Sequence, residues 1–148
     1  MTETGTDERL TALQSQADEH GFHRLIGYTL EAVGDGWARA SVPHNEEFVN
    51  TQTEKVMHGG LTASVLDVII GHAIMGALYA DSDRSCGPTI NLDINYVSTA
   101  DEPLTARGEV HRIGKHHALG EGRIEGAETG KLIATGQGVW RVFTSEES

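Results

Sequence analysis

The chain has 148 residues, enough for one domain with a sizeable core and too few for a second domain of ordinary size. Its formal net charge of −11 argues against nucleic acid as a partner, because a phosphate backbone would be repelled. The single cysteine excludes an internal disulfide framework and is typical of a reducing compartment. The acidic, lysine-poor composition is also compatible with a protein that stays soluble in concentrated salt.

The N-terminal residues do not have the pattern of a signal peptide. Glu3, Asp7 and Glu8 lie where such a peptide would need an apolar stretch, so we expect a cytoplasmic protein. Residues 1–6 are predicted to form a disordered tail, and residues 7–148 to form a single domain.

The first predicted elements are a short helix and a β-hairpin. Asp7 can cap a helix that ends at Gly21 and whose apolar residues recur at helical spacing, namely Leu10, Leu13 and Ala17. Two strands are then predicted at Leu25–Ala32 and Trp37–Val42, joined by the turn Gly34-Asp35-Gly36. A polar, irregular segment, Pro43–Lys55, follows the hairpin.

The segment Met57–Ala80 is predicted to be a long helix that is apolar nearly all round. Such a helix must be enclosed by other structure or by lipid. Asp67 and His72 would each be costly in a bilayer, so the pattern favours a core helix over a membrane span.

Four strands are predicted after this helix. In the first of them, Ile90, Leu92, Ile94 and Tyr96 alternate with polar residues, which predicts one face on the helix and one face in solvent. The other three are Leu104–Ile113, Ala118–Glu125 and Leu132–Phe143. The order β-β-α-β-β-β-β indicates an α+β fold in which helices cover one side of an antiparallel sheet.

The start of the long helix indicates a binding site. His58-Gly59-Gly60 supplies none of the usual N-cap residues, so the first amides of the helix have no assigned partner. The two glycines let another molecule approach the backbone closely, and bare amides at a positive helix end suit an oxygen that gains negative charge. The alternative is that the glycines only permit a sharp turn into the helix.

Asp67 is the second candidate. An unpaired carboxylate among apolar residues costs several kcal/mol unless something compensates it. It is therefore either a hydrogen-bonded core aspartate or a carboxylate held in a cleft to activate water or to attack a substrate.

The run HGGLTASVLD, followed by GPTINLDINYVSTA, closely resembles the hot-dog-fold acyl-CoA thioesterases of the phenylacetate-degradation type, over roughly residues 25–143. The resemblance implies one antiparallel sheet wrapped around the long helix, with Asp67 as the catalytic carboxylate and the Gly59 amide polarising the thioester carbonyl. It places Thr89 at the position of the family's Ser or Thr, and His58 in the turn beside the site.

The resemblance also points to substrate-binding residues. Members of the family often carry Asn six residues before the His, where this chain has Gln52, with Asn50 two residues earlier. These two side chains, the Gly60 backbone, and the basic residues Lys115 and His116 for the CoA phosphates complete the predicted substrate site. No cofactor is expected beyond the CoA of the substrate, and neither nucleic acid nor a membrane is an expected partner.

Helical spacing argues that the site is shared between two chains. Gly60 and Asp67 share one helix face but lie about 10 Å apart along the axis, too far for both to contact one carbonyl. An antiparallel helix from a second copy would solve this. The resemblance likewise implies a homodimer, or a dimer of dimers, with sites at the interface.

The sequence also contains parts of motifs that are typical of other functions. The residues His111, His116 and His117 suggest a metal site, but no Cys or carboxylate cluster completes the set. No G-x-S-x-G elbow or phosphate-binding glycine loop occurs. A non-catalytic acyl-CoA-binding module and an acyl-chain dehydratase or hydratase of the same fold remain the alternatives, and release of free thiol from acyl-CoA separates them from a thioesterase.

Overall fold

The computed structural model describes residues 3–50 and 55–146. Its elements, in chain order, are α1 (Glu3–Glu19), α2 (Gly21–Ile26), β1 (Thr29–Gly34), β2 (Trp37–Val42), a 3-10 turn (Glu46–Phe48), α3 (Gly59–Leu78), β3 (Arg84–Tyr96), β4 (Leu104–Ile113), β5 (His117–Gly126) and β6 (Leu132–Thr144). The six strands form one antiparallel sheet in the order β1-β2-β4-β5-β6-β3. The predicted hot-dog architecture, a sheet around a long helix with a short helix before it, is confirmed.

Helix α3 lies against the concave face of the sheet and forms the centre of the core. Its Leu66, Ile69 and Ile70 side chains are fully buried. The backbones of helix and sheet approach closely, since a Cβ added at Gly108 would lie only 2.5 Å from the Ile69 carbonyl oxygen. The helix is long and apolar enough to cross a membrane by composition, but most of it is buried inside the fold. The predicted core helix is therefore confirmed.

The N-terminal region differs from the prediction. α1 begins at Glu3, before the predicted cap at Asp7, because a helix fixed by the burial of Leu13 and Ala17 can extend by a further turn at little cost. Residues 25–26, predicted as the start of a strand, belong to α2. Gly27 ends α2 in the left-handed conformation (φ 75°), so the chain turns before β1 begins at Thr29.

Strand β3 lies at one edge of the sheet. It runs antiparallel to α3, since Thr89 contacts Asp67 and the later residue Tyr96 contacts Gly59. It begins at Arg84, six residues before Ile90, the first apolar residue of the predicted alternation. A β-bulge interrupts its pairing with β6: Thr89 pairs with Trp140 and Asn91 with Val139, which leaves Ile90 as the extra residue.

The bulge corrects the predicted alternation of β3. Leu92 and Ile94 are partly buried and pack against the core, as predicted. Tyr96 also lies on the helix side, where its hydroxyl donates to the Gly59 carbonyl, but it is 57% exposed at the end of the strand. Ile90, at the bulge, is 53% exposed. One extra residue reverses the side on which preceding side chains lie, so Thr89 faces the helix in place of Ile90.

Candidate active site

The N-terminus of α3 is capped by a histidine. His58 is the N-cap residue, and its Nδ1 accepts a hydrogen bond from the Gly60 N–H at 2.8 Å. The ring must therefore carry its proton on Nε2 when neutral. The expectation that no side chain caps this helix was wrong, because an imidazole nitrogen can act in place of the usual hydroxyl or carboxylate.

The Gly59 amide remains available for a ligand. It donates no hydrogen bond within residues 3–50 and 55–146, whereas the Gly60 N–H is taken by His58 and the Leu61 N–H donates to the His58 carbonyl at 3.0 Å. The Gly59 carbonyl accepts a hydrogen bond from the Tyr96 hydroxyl at 2.9 Å, which ties this peptide to β3. A fixed N–H at the positive end of a helix is a suitable donor for a developing oxyanion.

Backbone hydrogen bonds hold the segment that leads into α3. The His58 N–H donates to the Phe48 carbonyl at 2.7 Å, and the Met57 N–H donates to the Ala100 carbonyl at 2.8 Å. Asn50 lies in the same segment and its N–H donates to the Val56 carbonyl at 2.8 Å. Gln52 lies outside the described residues.

Asp67 and Thr89 form the second part of the site. The Thr89 hydroxyl, at the bulge of β3, donates to Oδ1 of Asp67, in the third turn of α3, at 2.5 Å. Asp67 is half-buried and Thr89 is exposed, so this pair lies at the protein surface. Among the described residues no cation pairs with the carboxylate. Asp67 is therefore positioned by one hydrogen bond and keeps an oxygen for a reactant.

Two residues that the sequence argument did not single out lie close to these groups. Tyr96 contacts Gly59. The alternation of apolar and polar residues in its strand predicted only that Tyr96 faces the helix. Cys86 lies near Asp67: burial, assisted by the Asp67 charge, raises the pKa of the thiol to about 11. The thiol is protonated at neutral pH and is not a nucleophile for this site.

The amide and the carboxylate of one chain do not meet. Gly59 and Asp67 are eight residues apart on a continuous helix, which corresponds to about 12 Å along its axis. Reacting groups must come within about 3–3.5 Å of their targets. A single chain therefore cannot apply both groups to one carbonyl.

Lys115 and His116 lie away from both groups, on the turn between β4 and β5. This turn contacts Arg84 at the start of β3, where the guanidinium is within 3.4 Å of the Gly114 carbonyl oxygen and 2.9 Å of the Asp81 carboxylate. Thr89 is five residues further along β3, about 17 Å at the rise of a strand. The turn can contact only a remote part of a substrate bound at Asp67.

The histidines considered as metal ligands do not form a metal site in the described part of the chain. His111 lies 3.2 Å from the Glu121 carboxylate on the outer face of the sheet. Within the described residues, no group of His, Cys, Asp or Glu is arranged to hold a metal ion.

Comparison with known proteins agrees with this fold. The family model described as Thioesterase superfamily matches residues 54–133. A candidate esterase of Halobacterium salinarum is 30% identical over 152 residues, covering 99% of this chain and all of that protein. Human acyl-coenzyme A thioesterase 13 is 27% identical over 128 residues, covering 84% of this chain and 87% of that protein.

Solved structures give the same result. A conserved protein from Pseudomonas aeruginosa superposes with a TM-score of 0.76 at 27% identity, covering 86% of this chain and 98% of that chain. Zebrafish thioesterase superfamily member 2 superposes with a TM-score of 0.75 at 23% identity, covering 89% of this chain and 96% of that chain, which supports the fold alone. With more than half of its length matched by the family model, the chain belongs to the thioesterase superfamily.

Proposed function

We propose that the protein hydrolyses the thioester bond of an acyl-CoA, releasing the free acid and CoA. The proposal rests on two groups of α3. The Gly59 N–H donates to none of the described residues, and the Asp67 carboxylate is held in place by the Thr89 hydroxyl. The similarity to human acyl-coenzyme A thioesterase 13 supports CoA as the thiol part of the substrate.

The Gly59 amide binds the thioester carbonyl oxygen. As the carbonyl carbon is attacked, this oxygen gains negative charge, and a fixed N–H at the positive helix end stabilises it more than it stabilises the ground state. His58 contributes by holding the Gly60 N–H, which keeps the first turn of the helix in one conformation. It has no acid-base role in this scheme.

Asp67 acts on the carbonyl carbon in one of two ways. As a general base it takes a proton from water, and the hydroxide attacks the carbon. As a nucleophile it attacks directly and forms an anhydride that water then hydrolyses. In both routes the C–S bond breaks and the CoA thiolate leaves and takes up a proton. The hydrogen bond from Thr89 orients the carboxylate in either route.

A second copy of the chain completes the site. β3 is an edge strand of 13 residues, and it exposes Ile90 and Tyr96 on the surface beside α3. Antiparallel pairing of β3 with its own copy would bury these side chains and place two α3 helices antiparallel across a two-fold axis. The Gly59 amide of one protomer would then face the Asp67 carboxylate of its partner. The proposed assembly is a homodimer, or a dimer of such dimers.

The remaining predicted residues bind the substrate. Asn50 lies beside the start of α3, within reach of the pantetheine side of the thioester. Lys115 and His116, at the far end of β3, are placed for the CoA phosphates. The phenylacetate-type resemblance makes a short, aromatic or medium-chain acyl group the proposed substrate class.

Mixing two inactive variants tests the shared site and the hydrolysis together. Asp67→Asn removes the carboxylate. Gly59→Pro replaces the amide hydrogen with a ring carbon. The backbone can accept this change, since proline is favoured at the first helical position and His58, with φ −55° and ψ 138°, has a conformation allowed before proline. Gly59→Ala is the matched control, because it keeps the amide and adds a Cβ no closer than 3.3 Å to the Tyr96 ring.

The two variants are refolded together at equal concentration, and thiol release from acyl-CoA is measured. Random pairing makes about half of the dimers mixed, and each mixed dimer has one intact site, so activity should return to about a quarter of the wild-type value. Each variant alone should be inactive, and Gly59→Ala should retain activity. If both variants form dimers and the mixture remains inactive, the shared site is wrong. Absence of thiol release by the wild type would overturn the proposed hydrolysis.

A further inference from the structure

A cavity of about 370 Å³ opens beside the N-terminus of α3. The backbone of Gly60 and the side chain of Ser64 form its wall on the helix. The opposite wall is formed by α2 and by the segment Glu47–Val49. The cavity therefore begins one residue from the amide that is proposed to bind the thioester oxygen, and it extends away from that amide toward α2.

The lining of this cavity is largely apolar. Phe22 and Leu25, three residues apart on α2, are 43% and 61% exposed at its rim, while the neighbouring Ile26 is buried in the core. Phe48 and Leu61 also line the cavity, and both are less exposed than these two residues. Large apolar side chains that are left exposed around a concavity of this size are typical of a small-molecule site.

The charge at the cavity favours the acyl end of a thioester over the CoA end. Among the described residues that line it, Glu47 carries a carboxylate, His58 carries the imidazole that caps α3, and none is a lysine or an arginine. CoA carries several phosphate charges and would be repelled there, whereas an acyl chain is uncharged. With the carbonyl oxygen held at the Gly59 N–H, the acyl side of the substrate has this cavity directly beside it.

We infer that this cavity binds the acyl group, and that Phe22 and Leu25 of α2 make the enzyme selective for medium-chain or arylalkyl acyl groups over acetyl. The inference rests on the proposed thioester hydrolysis. An acetyl group ends one methyl beyond the carbonyl and does not reach α2. Each further methylene that enters the cavity is removed from water, which corresponds to a gain of about fourfold in kcat/KM.

The test is a chain-length series measured on the full-length oligomer. Values of kcat/KM are determined for acyl-CoA substrates from acetyl to dodecanoyl, with Leu25→Ser, Phe22→Ser and the control Leu119→Ser. Leu119 is a matched control because it is 43% exposed on β5, away from the cavity. We expect the wild type and Leu119→Ser to improve by about fourfold per methylene until the cavity is filled. Leu25→Ser should lose about tenfold with octanoyl-CoA and less than twofold with acetyl-CoA.

A binding measurement separates failure of this inference from failure of the hydrolysis. Calorimetry with the unreactive thioethers S-octyl-CoA and S-ethyl-CoA should show tighter binding of the octyl compound to the wild type, and a smaller difference in Leu25→Ser. This result would support the acyl site even if no substrate were hydrolysed. Hydrolysis with the same chain-length dependence in all four proteins would overturn it. Dissociation of the oligomer by Leu25→Ser in sedimentation would also overturn it, since α2 would then cover a partner chain.

Discussion

The two halves of α3 differ in what surrounds their polar residues. In the N-terminal half, the Gly59 amide and the Asp67 carboxylate lie at the surface, and each is positioned by residues of β3. In the C-terminal half, His72 is only 4% exposed and shares a hydrogen bond of 2.8 Å with the Tyr28 hydroxyl. Both halves belong to one continuous apolar helix.

The difference shows that burial, and not residue type, separates a polar group that a reactant can reach from one that no reactant can reach. Burial, assisted by the nearby His23, lowers the pKa of His72 to about 4, so the imidazole is neutral at physiological pH and acts as a buried hydrogen-bonding partner. Tyr28, the residue before β1, stacks on the His72 ring, and the rings of His20 and His23 stack on each other nearby. Asp67 has one hydrogen bond and access to solvent, which is what a base or nucleophile requires.

The largest expected effect is on Asp67. Asp67→Asn nearly preserves shape and can still accept the Thr89 hydrogen bond, but it cannot take a proton or attack. We expect turnover of acyl-CoA to fall by about a hundredfold or more, with an unchanged free energy of unfolding within about 1 kcal/mol. His72→Gln, at the buried polar position of the other half, should retain turnover while folded. Near-wild-type turnover in Asp67→Asn would show that the carboxylate is not catalytic and has a structural role, as His72 has.

The second largest effect is a dependence of the free energy of unfolding on pH, caused by the titration of His72. Its pKa is about 4 in the folded protein against 6.5 for an ordinary histidine, so the unfolded chain binds the proton more tightly. Its contribution to stability is complete above pH 6.5 and is lost as pH falls from 6.5 toward 4. Between pH 7 and pH 5 the loss is about 2 kcal/mol.

Urea unfolding of the wild type and His72→Gln at pH 7 and pH 5 measures this contribution. The stability of the wild type should fall by about 2 kcal/mol more than that of the variant. Parallel changes in the two proteins would show that His72 is not the group that titrates.

The smallest effect is expected at Thr89. Thr89→Val removes the hydroxyl and keeps the shape, so the Asp67 carboxylate loses its positioning hydrogen bond, and we expect turnover to fall by about tenfold. Thr89→Ser keeps the hydroxyl and should lower turnover by less than threefold. The melting temperature, measured in parallel, should change little in both. Equal turnover in Thr89→Val and the wild type would reduce Thr89 to a strand residue.

Much of the fold was predictable because its signals are local. The apolar run of α3, the turn Gly34-Asp35-Gly36 and the alternation in β3 each depend on neighbouring residues. The two ionisable residues of α3, Asp67 and His72, could be recognised as exceptional in the same way. That Asp67 lies near the surface and His72 does not could not be predicted, because both interrupt the same apolar pattern.

The sequence by itself determined the long helix, most of the strands, and the spacing of eight residues between the Gly59 amide at the helix start and the Asp67 carboxylate. These features follow from local chemistry and helical geometry. Only the tertiary structure decided which groups meet. The Thr89 hydroxyl reaches Asp67 because a bulge at Ile90 reverses the facing of the strand, and a bulge depends on pairing with β6. His58 caps the helix. α2 includes residues 25–26, the predicted start of a strand, and lines the cavity, because the packing of distant segments overrides local propensity.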